Sequence, residues 1–328
     1  MECRALIVIG GSAGGMEALD ELVRGLPSDL PAAVCVVLHI GGRRSAAPKI
    51  LTGAGALPAV HATDGEAIRP GRIYVAPPDR HLVVTPGRLH LSRGPRENGT
   101  RPAADPLFRS AAEAYGPRVI GLILSGTLSD GTAGFSAIKR FGGTTVVQDP
   151  DDARFPGMPR SALSYVTVDH CVPVSAMPRL LVRLVSAMAG TATPQGNVKE
   201  CHGMDGEYEL NQPTSLTCPD CGGALKETTV DSMPYFTCHI GHRFSAESMD
   251  ETQFQMVEQA FEVAVRALNE RAALCRRMAD AARGKGQALS AARWDAAGQE
   301  ARARADVLLR FLSGDWIRPS PNAENAEG

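Results

Sequence analysis

Val8-Ile9-Gly10-Gly11-Ser12-Ala13-Gly14-Gly15-Met16 is the stretch on which the reading of this chain turns. An apolar run, Ala5 to Ile9, stops at a glycine pair. One serine follows, then two more glycines, then a helix-like segment from Glu17 to Leu26 that Pro27 ends. Strand, sharp glycine turn and helix form the setting in which a hydroxyl can be lifted clear of a sheet. The same turn aims backbone N–H groups and a helix N-terminus at one point, where negative charge is stabilised. Gly10-x-Ser12-x-Gly14 fits the G-x-S-x-G elbow of serine hydrolases. The G-x-G-x-x-G dinucleotide fingerprint is not met, which disfavours a nucleotide-binding reading.

Working outward, short apolar runs alternate with helical stretches as far as Met188. Val34–Leu38, Val119–Leu124 and Thr144–Gln148 read as buried strands, and Ile73–Val75 as another. His81–Thr85 and Arg88–Ser92 flank Pro86-Gly87 and read as a hairpin. Ala104–Tyr115 and Phe135–Phe141 read as helices, and Ser175 as the cap of a last helix through Met188. This alternation predicts an α/β domain over residues 1–188, a doubly wound and mostly parallel sheet.

Bulk properties narrow the function. A hydrophobic fraction of 44% and a charged fraction of 21% over 328 residues describe a globular chain with an ample core. A formal net charge of -2 lacks the basic excess of a nucleic-acid protein. No run of about 18 apolar residues predicts membrane insertion, and the N-terminus has no signal-peptide architecture, so the expected location is cytoplasmic.

A nucleophilic serine needs a base, and the base needs an orienting group. His39, His61, His81, His90 and His170 are the histidines of the first domain, and only His39 ends a buried strand. In open α/β sheets ligands bind outside the C-terminal strand ends, the rim Ser12 occupies. Asp130, in the loop Ser125-Gly126-Thr127-Leu128-Ser129-Asp130-Gly131, leaves a third strand on that rim. Asp-Gly is also common turn chemistry, and a lone strand-end histidine is commonly structural. Three such groups on one rim favour Ser12, His39 and Asp130 as a catalytic set.

From Ala5 to Met188 the chain resembles the catalytic domain of the CheB-type protein-glutamate methylesterases of bacterial chemotaxis. The matching blocks are Ile9–Gly15, Leu38-His39, Asp64-Gly65-Glu66, Pro70–Pro77 and Asp79–Leu82. Further along come Asp105–Phe108, Leu124–Gly126, Asp130–Gly134 and Gln148-Asp149-Pro150. The resemblance implies a cytoplasmic signal-transduction hydrolase with Ser12 as nucleophile, His39 as base and Asp130 as its orienting carboxylate. It needs no cofactor for catalysis. Its implied reaction removes methyl esters from glutamates of methyl-accepting chemoreceptors, or an analogous signalling protein, and deamidates certain glutamines. Backbone N–H groups at Ala13 or Thr127 would support the oxyanion. The family pattern has Gln before the histidine and Met three places before the aspartate, where Leu38 and Thr127 stand here. It also carries an N-terminal phospho-receiver domain, and this chain begins at strand one. The expectation is therefore a receiver-less enzyme served by a separate response regulator.

Residues 189–217 read as a linker. Cys218-Pro219-Asp220-Cys221 and Cys238-His239-Ile240-Gly241-His242 then form a metal-type cluster rather than a disulfide framework. Residues 218–246 are predicted to be a small zinc knuckle with Cys218, Cys221, Cys238 and His242 as ligands and His239 as the alternative fourth. Such a tail looks like that of some receiver-less relatives. Phe254, Phe261, Leu268 and Cys275 recur every seven residues, predicting a helical hairpin over 247–316 through which the chain could oligomerise. Residues 317–328 read as a disordered tail. A second reading stays open: a catalytically idle scaffold that binds a signalling partner through this C-terminal module.

Overall fold

The computed structural model describes residues 5–39, 45–188, 216–314 and 316. Most of the expected linker and all of the expected tail lie outside the described residues. The chain divides into two compact units, one running to Met249 and the other beginning at Asp250.

In chain order the first unit contains β1 (Ala5–Gly11), α1 (Gly15–Arg24), β2 (Ala32–Leu38), α2 (Ala47–Ala54), β3 (Ala59–His61) and β4 (Ile73–Val75). The hairpin β5 (His81–Thr85) and β6 (Arg88–Ser92) follows, then α3 (Ala104–Tyr115), β7 (Val119–Ile123), α4 (Thr132–Arg140) and β8 (Thr144–Gln148). Next come α5 (Gly157–Tyr165), β9 (His170–Val172), α6 (Met177–Met188), β10 (Leu225–Val230), β11 (Met233–Cys238) and β12 (Arg243–Ser245). Two long helices, α7 (Ala246–Gly284) and α8 (Ala288–Leu312), end the described chain.

Seven strands form one sheet in the order β3-β4-β2-β1-β7-β8-β9, and every neighbouring pair is parallel. All seven residues of β1 and of β2 are buried, as a sheet covered on both faces requires. Side chains alternate between two core layers. Leu6 and Val8 pack with Phe108, Phe135 and Met158, whereas Ala5, Ile7 and Ile9 pack with Leu19, Leu22, Leu51 and Leu181. The sheet thus separates α3, α4 and α5 from α1, α2 and α6.

The hairpin β5–β6 and α3 have the expected bounds. Two helices begin earlier than their apolar patterns suggest. Each follows a glycine in the left-handed region, Gly14 (φ 71) before α1 and Gly131 (φ 93) before α4. Such a residue ends the extended chain and lets a helix start at the next residue. Ser175 lies in a 3-10 turn, Val174–Ala176, rather than capping α6 directly. The sequence pattern also passes over α2, α5 and the three-residue strands β3 and β9.

Residues 218–245 fold as a three-stranded antiparallel sheet, β10-β11-β12, around Leu225, Phe236, Phe244 and Met249. In the second unit α7 and α8 pair along the expected seam. The rings of Phe261 and Phe311 lie 5.4 Å apart, those of Phe254 and Trp316 also 5.4 Å, and buried Cys275 faces Gly298. No helix among the described residues is long and apolar enough to cross a membrane.

Candidate active site

β2, β1 and β7 are adjacent strands, and Ser12, His39 and Asp130 all follow their C-terminal ends. Chain connectivity reverses direction around β1, which is where an open α/β sheet leaves its ligand crevice. Neighbouring strands are about 4.8 Å apart. The three residues are thus brought to one rim from widely separated positions in the chain.

The turn carrying Ser12 is held from below. Ser12 N–H donates to the Ser125 carbonyl at 3.0 Å and Gly15 N–H to the Ser12 carbonyl at 2.9 Å. Ser125 Oγ donates to the Ala13 carbonyl at 2.8 Å. A side chain at Gly14 would meet Ser125 Oγ at 2.6 Å, so glycine is required by both conformation and space. Leu38 is 2% exposed and its Cδ2 lies against Gly11 and Gly15, forming an apolar floor to the turn. Ser12 itself is half-buried.

His39 Nε2 lies 2.9 Å from Asp130 Oδ2. An ionised carboxylate only accepts hydrogen bonds, so Nε2 donates to it, and the ring nitrogen left to act as a base is Nδ1. Among the described residues no hydrogen bond joins Ser12 Oγ to the ring. Such contacts often tighten only when substrate is bound. Thr100 Oγ1 lies 3.4 Å from Nε2.

Asp130 is 2% exposed and has a full set of donors. The Ala104 and Asp105 N–H groups at the start of α3 donate at 2.5 and 3.2 Å. Asn98 Nδ2 adds a third bond at 3.0 Å. Burial works to raise the carboxyl pKa. The hydrogen bond and charge of His39, the Ala104 N–H and the Asn98 amide outweigh it and hold it below the usual carboxylate range. The N-terminus of α3 favours the same charge. Asp105, one residue into α3, has the opposite fate. Burial, then the charge of Asp130, raises it from 3.8 to about 7. The two carboxylates of this buried site thus titrate as a pair, with Asp130 losing its proton first and Asp105 only as the pH approaches neutrality.

Thr127 is exposed on the rim and Ala13 half-buried. Neither backbone N–H has an acceptor among the described residues. The loop with Thr127 is fixed by Gly126 N–H to the Phe155 carbonyl (2.9 Å) and Met158 N–H to the Gly126 carbonyl (2.8 Å). Beside His39 opens a cleft of about 520 Å³, bordered by Leu38, Thr100, Arg96 and Arg101. Of the other histidines considered as bases, His81 is buried with Nε2 at 2.9 Å from the Pro95 carbonyl. His61 contacts the Ser45 and Val75 carbonyls, His90 pairs with Asp64, and His170 begins β9.

The second cluster of ligating groups is Cys218, Cys221, Cys238 and His242, whose ligand atoms all lie within 4.8 Å of one another. Cys221 Sγ is 3.7 Å from Cys238 Sγ, and His242 Nδ1 is 3.7 Å from Cys218 Sγ and 3.5 Å from Cys238 Sγ. A tetrahedron with Zn–S bonds of about 2.3 Å and a Zn–N bond of about 2.1 Å has edges of about 3.5–3.8 Å. These contacts have that size and are too long for a disulfide. The far nitrogen of His242 faces Asp220 Oδ2 at 4.0 Å, and that oxygen is buried with no hydrogen bond. A carboxylate behind a ligating imidazole is the usual support of a metal-bound histidine. Burial, with the neighbouring sulfurs adding, pushes the Cys218 thiol up to about 12, a cost that a bound cation would remove. His239, the alternative ligand, is exposed, with its ring over Gly223 and outside the group.

Local sequence pattern does not mark Asn98, Asp105 or Asp220 as functional. Asn98-Gly99 reads locally as turn chemistry, and Asp105 as a helix-start residue; their partners lie far along the chain.

Fold and rim together define an α/β domain that carries serine, histidine and aspartate on three neighbouring strand ends. The chain belongs to the CheB methylesterase family, whose model matches residues 7–181. It is 41% identical over 180 residues to a protein-glutamate methylesterase/protein-glutamine glutaminase of Anaeromyxobacter dehalogenans, covering 55% of this chain and 53% of that protein. To a putative enzyme of the same name from Leptospira interrogans it is 39% identical, over 54% of this chain and 93% of the relative. It is also similar to the crystal structure of the Thermotoga maritima CheB methylesterase catalytic domain. There the TM-score is 0.53 and the identity 34%, over 55% of this chain and 98% of that one. The chain thus spans about half the length of the Anaeromyxobacter relative. The family match stops before β10.

Proposed function

We propose that this chain is a serine esterase that hydrolyses γ-glutamyl methyl esters on a chemoreceptor or analogous signalling protein, releasing methanol. Glutamine deamidation would use the same acyl-enzyme chemistry. The observation that carries this reading is the buried Asp130–His39 hydrogen bond beside the Ser12 turn, in a chain of the methylesterase family. Ser12 Oγ attacks the ester carbonyl while His39 Nδ1 takes its proton. Asp130 fixes the tautomer through Nε2 and stabilises the imidazolium that forms. The Ala13 and Thr127 N–H groups would receive the oxyanion, a role in which one donor contributes about 3 kcal/mol. The imidazolium then protonates the departing methoxy oxygen as its bond to carbon breaks, giving methanol, and water repeats the cycle to free the carboxylate. Leu38 on the apolar floor and Thr127 on the rim tune substrate fit.

Zinc on Cys218, Cys221, Cys238 and His242 would serve structure rather than chemistry, as four protein ligands leave no open position. The cytoplasm is the proposed compartment, with a separate response regulator as a proposed partner. The helical pair from Asp250 onward is proposed as an oligomerisation surface. The scaffold reading has less support, because a pure binding module has no use for a fully anchored Asp130.

Ser12→Ala tests the reading. Methanol release from a methylated receptor is expected to fall by about a millionfold, with the melting temperature unchanged. Retention of most of the activity would overturn the assignment.

A further inference from the structure

The three-stranded sheet of residues 218–245 touches the machinery just described. Asn98 Oδ1 accepts a hydrogen bond from Ser245 N–H at 3.1 Å, while its Nδ2 donates to Asp130 Oδ1 at 3.0 Å and Asp105 Oδ2 at 2.9 Å. Both amide N–H groups are therefore used on carboxylates. Turned over, the amide would present its carbonyl to both, so the Ser245 N–H sets which end faces Asp130. Asn98 N–H donates to the Arg243 carbonyl at 2.7 Å, and Arg243 N–H to the Arg96 carbonyl at 3.2 Å. Strand β12 is in effect paired with the loop that carries Asn98. Ser245 Oγ also hydrogen-bonds Ser129 Oγ, next to Asp130, and Tyr235 O–H donates to Asp105 Oδ2 at 3.4 Å. Asn98, Asp105, Ser129, Tyr235 and Ser245 are all buried.

Tyr235 and Ser245 face each other directly across β11 and β12. The turn joining those strands starts at Cys238 and ends at His242, two members of the thiol–imidazole cluster. One end of a short hairpin thus holds half of a metal site and the other end braces the carboxylates. The β11–β12 pairing between them is only three residues long, and although β10 flanks β11 on its other edge, a sheet this small gains much of its order from a staple such as a bound metal.

We propose that residues 216–249 form a positioning module for Asp130. With metal on Cys218, Cys221, Cys238 and His242 the hairpin holds Asn98 and Asp105 in place, and without it they relax and turnover falls. Ser245, Tyr235 and Asn98 are positioning residues in this scheme. The kinetic part rests on the esterase reading above, and the structural part does not.

The test uses the full-length chain, loaded with zinc and then stripped by a chelator, with the metal counted at each stage. Hydrogen exchange of residues 96–105 and hydrolysis of p-nitrophenyl acetate are followed in parallel. Stripping is expected to speed exchange in that loop about tenfold and to lower kcat about tenfold with KM unchanged. Zinc, but not magnesium, should restore both. A chain that takes up no zinc, or whose exchange and kcat ignore its removal, overturns the proposal, as does a change confined to KM. Should stripping unfold the whole domain, zinc-loaded Tyr235→Phe decides. It is expected to lower kcat about threefold and loosen the loop with the zinc retained, and wild-type values in both would overturn the proposal. If the zinc-loaded chain hydrolyses no ester at all, the functional reading fails, and loop exchange alone still decides the coupling.

Discussion

The carboxylate of Asp130 and the thiols of Cys218, Cys221 and Cys238 are both groups of ionisable side chains gathered at strand ends, yet the protein holds them by different means. Asp130 is charged in a fully buried place, and its donors come from the chain itself: two N–H groups of a helix start, one amide and one imidazole. The sulfurs have chiefly one another, one imidazole and a few main-chain groups. The first centre holds its charge with protein donors alone, one of which, Asn98, is braced in turn by Ser245 of the second region. The second has a donor set that could hold a cation, and it sits on a sheet where β10 is largely exposed, whereas β1 and β2 are wholly buried.

The contrast can be broken most forcefully at Asp130. Asp130→Asn keeps the shape but turns one accepting oxygen into a donor, favouring the wrong His39 tautomer. Turnover is expected to fall about ten-thousandfold, measured as kcat with methylated receptor or a small ester. A loss under tenfold would show that the carboxylate is not the orienting group. Next in size is the response to a chelator. Amide protection in β10, β11 and β12 is expected to collapse while that of β1, β2 and β7 persists, because on the zinc proposal only the former rely on a metal. Equal loss across both sheets would erase the distinction. The smallest effect is a titration. Asp105 is expected to titrate near 7 by carboxyl NMR, and Asp130→Asn should lower that value by removing the adjacent charge, with burial keeping it above 3.8. Linkage gives the sign. Between about pH 4 and 7 the folded chain holds a proton on Asp105 that the unfolded chain has lost, so this group's contribution falls as pH rises. Asp130 is depressed, so its contribution is present above the ordinary carboxylate range and is lost as pH falls through its folded value.

Much of the first centre was legible because its signals are local. A glycine turn after an apolar run places Ser12, and buried runs ending in His39 or in the Asp130 loop place the others on the same rim. The helix starts at Gly15 and Thr132 were obscured because a left-handed glycine, not a change in hydrophobic period, begins each helix. Strands β3 and β9, at three residues each, are too short to show alternation. Asn98 could not be found in this way. Its neighbours in sequence spell a turn, while its hydrogen-bond partners stand 7, 32 and 147 positions away. The choice between His239 and His242 was open in the sequence for a related reason. The two differ only in which side of the Gly241 turn they occupy (φ 96), and the fold sends one toward the sulfurs and the other over Gly223.

The order of strands has a consequence for how this protein comes into being. β1 and β2 pair early in the chain, but β7 must return past β3, β4, the hairpin and α3 to lie on the other side of β1. The Asp130–His39 contact spans 91 positions, and contacts of such reach form slowly because a long loop must close first. A nascent or refolding chain therefore displays Ser12 and His39 well before it can orient the histidine. Hydrolytic competence should not precede β1–β7 pairing, so that in a refolding experiment the onset of turnover would set a latest time for that pairing.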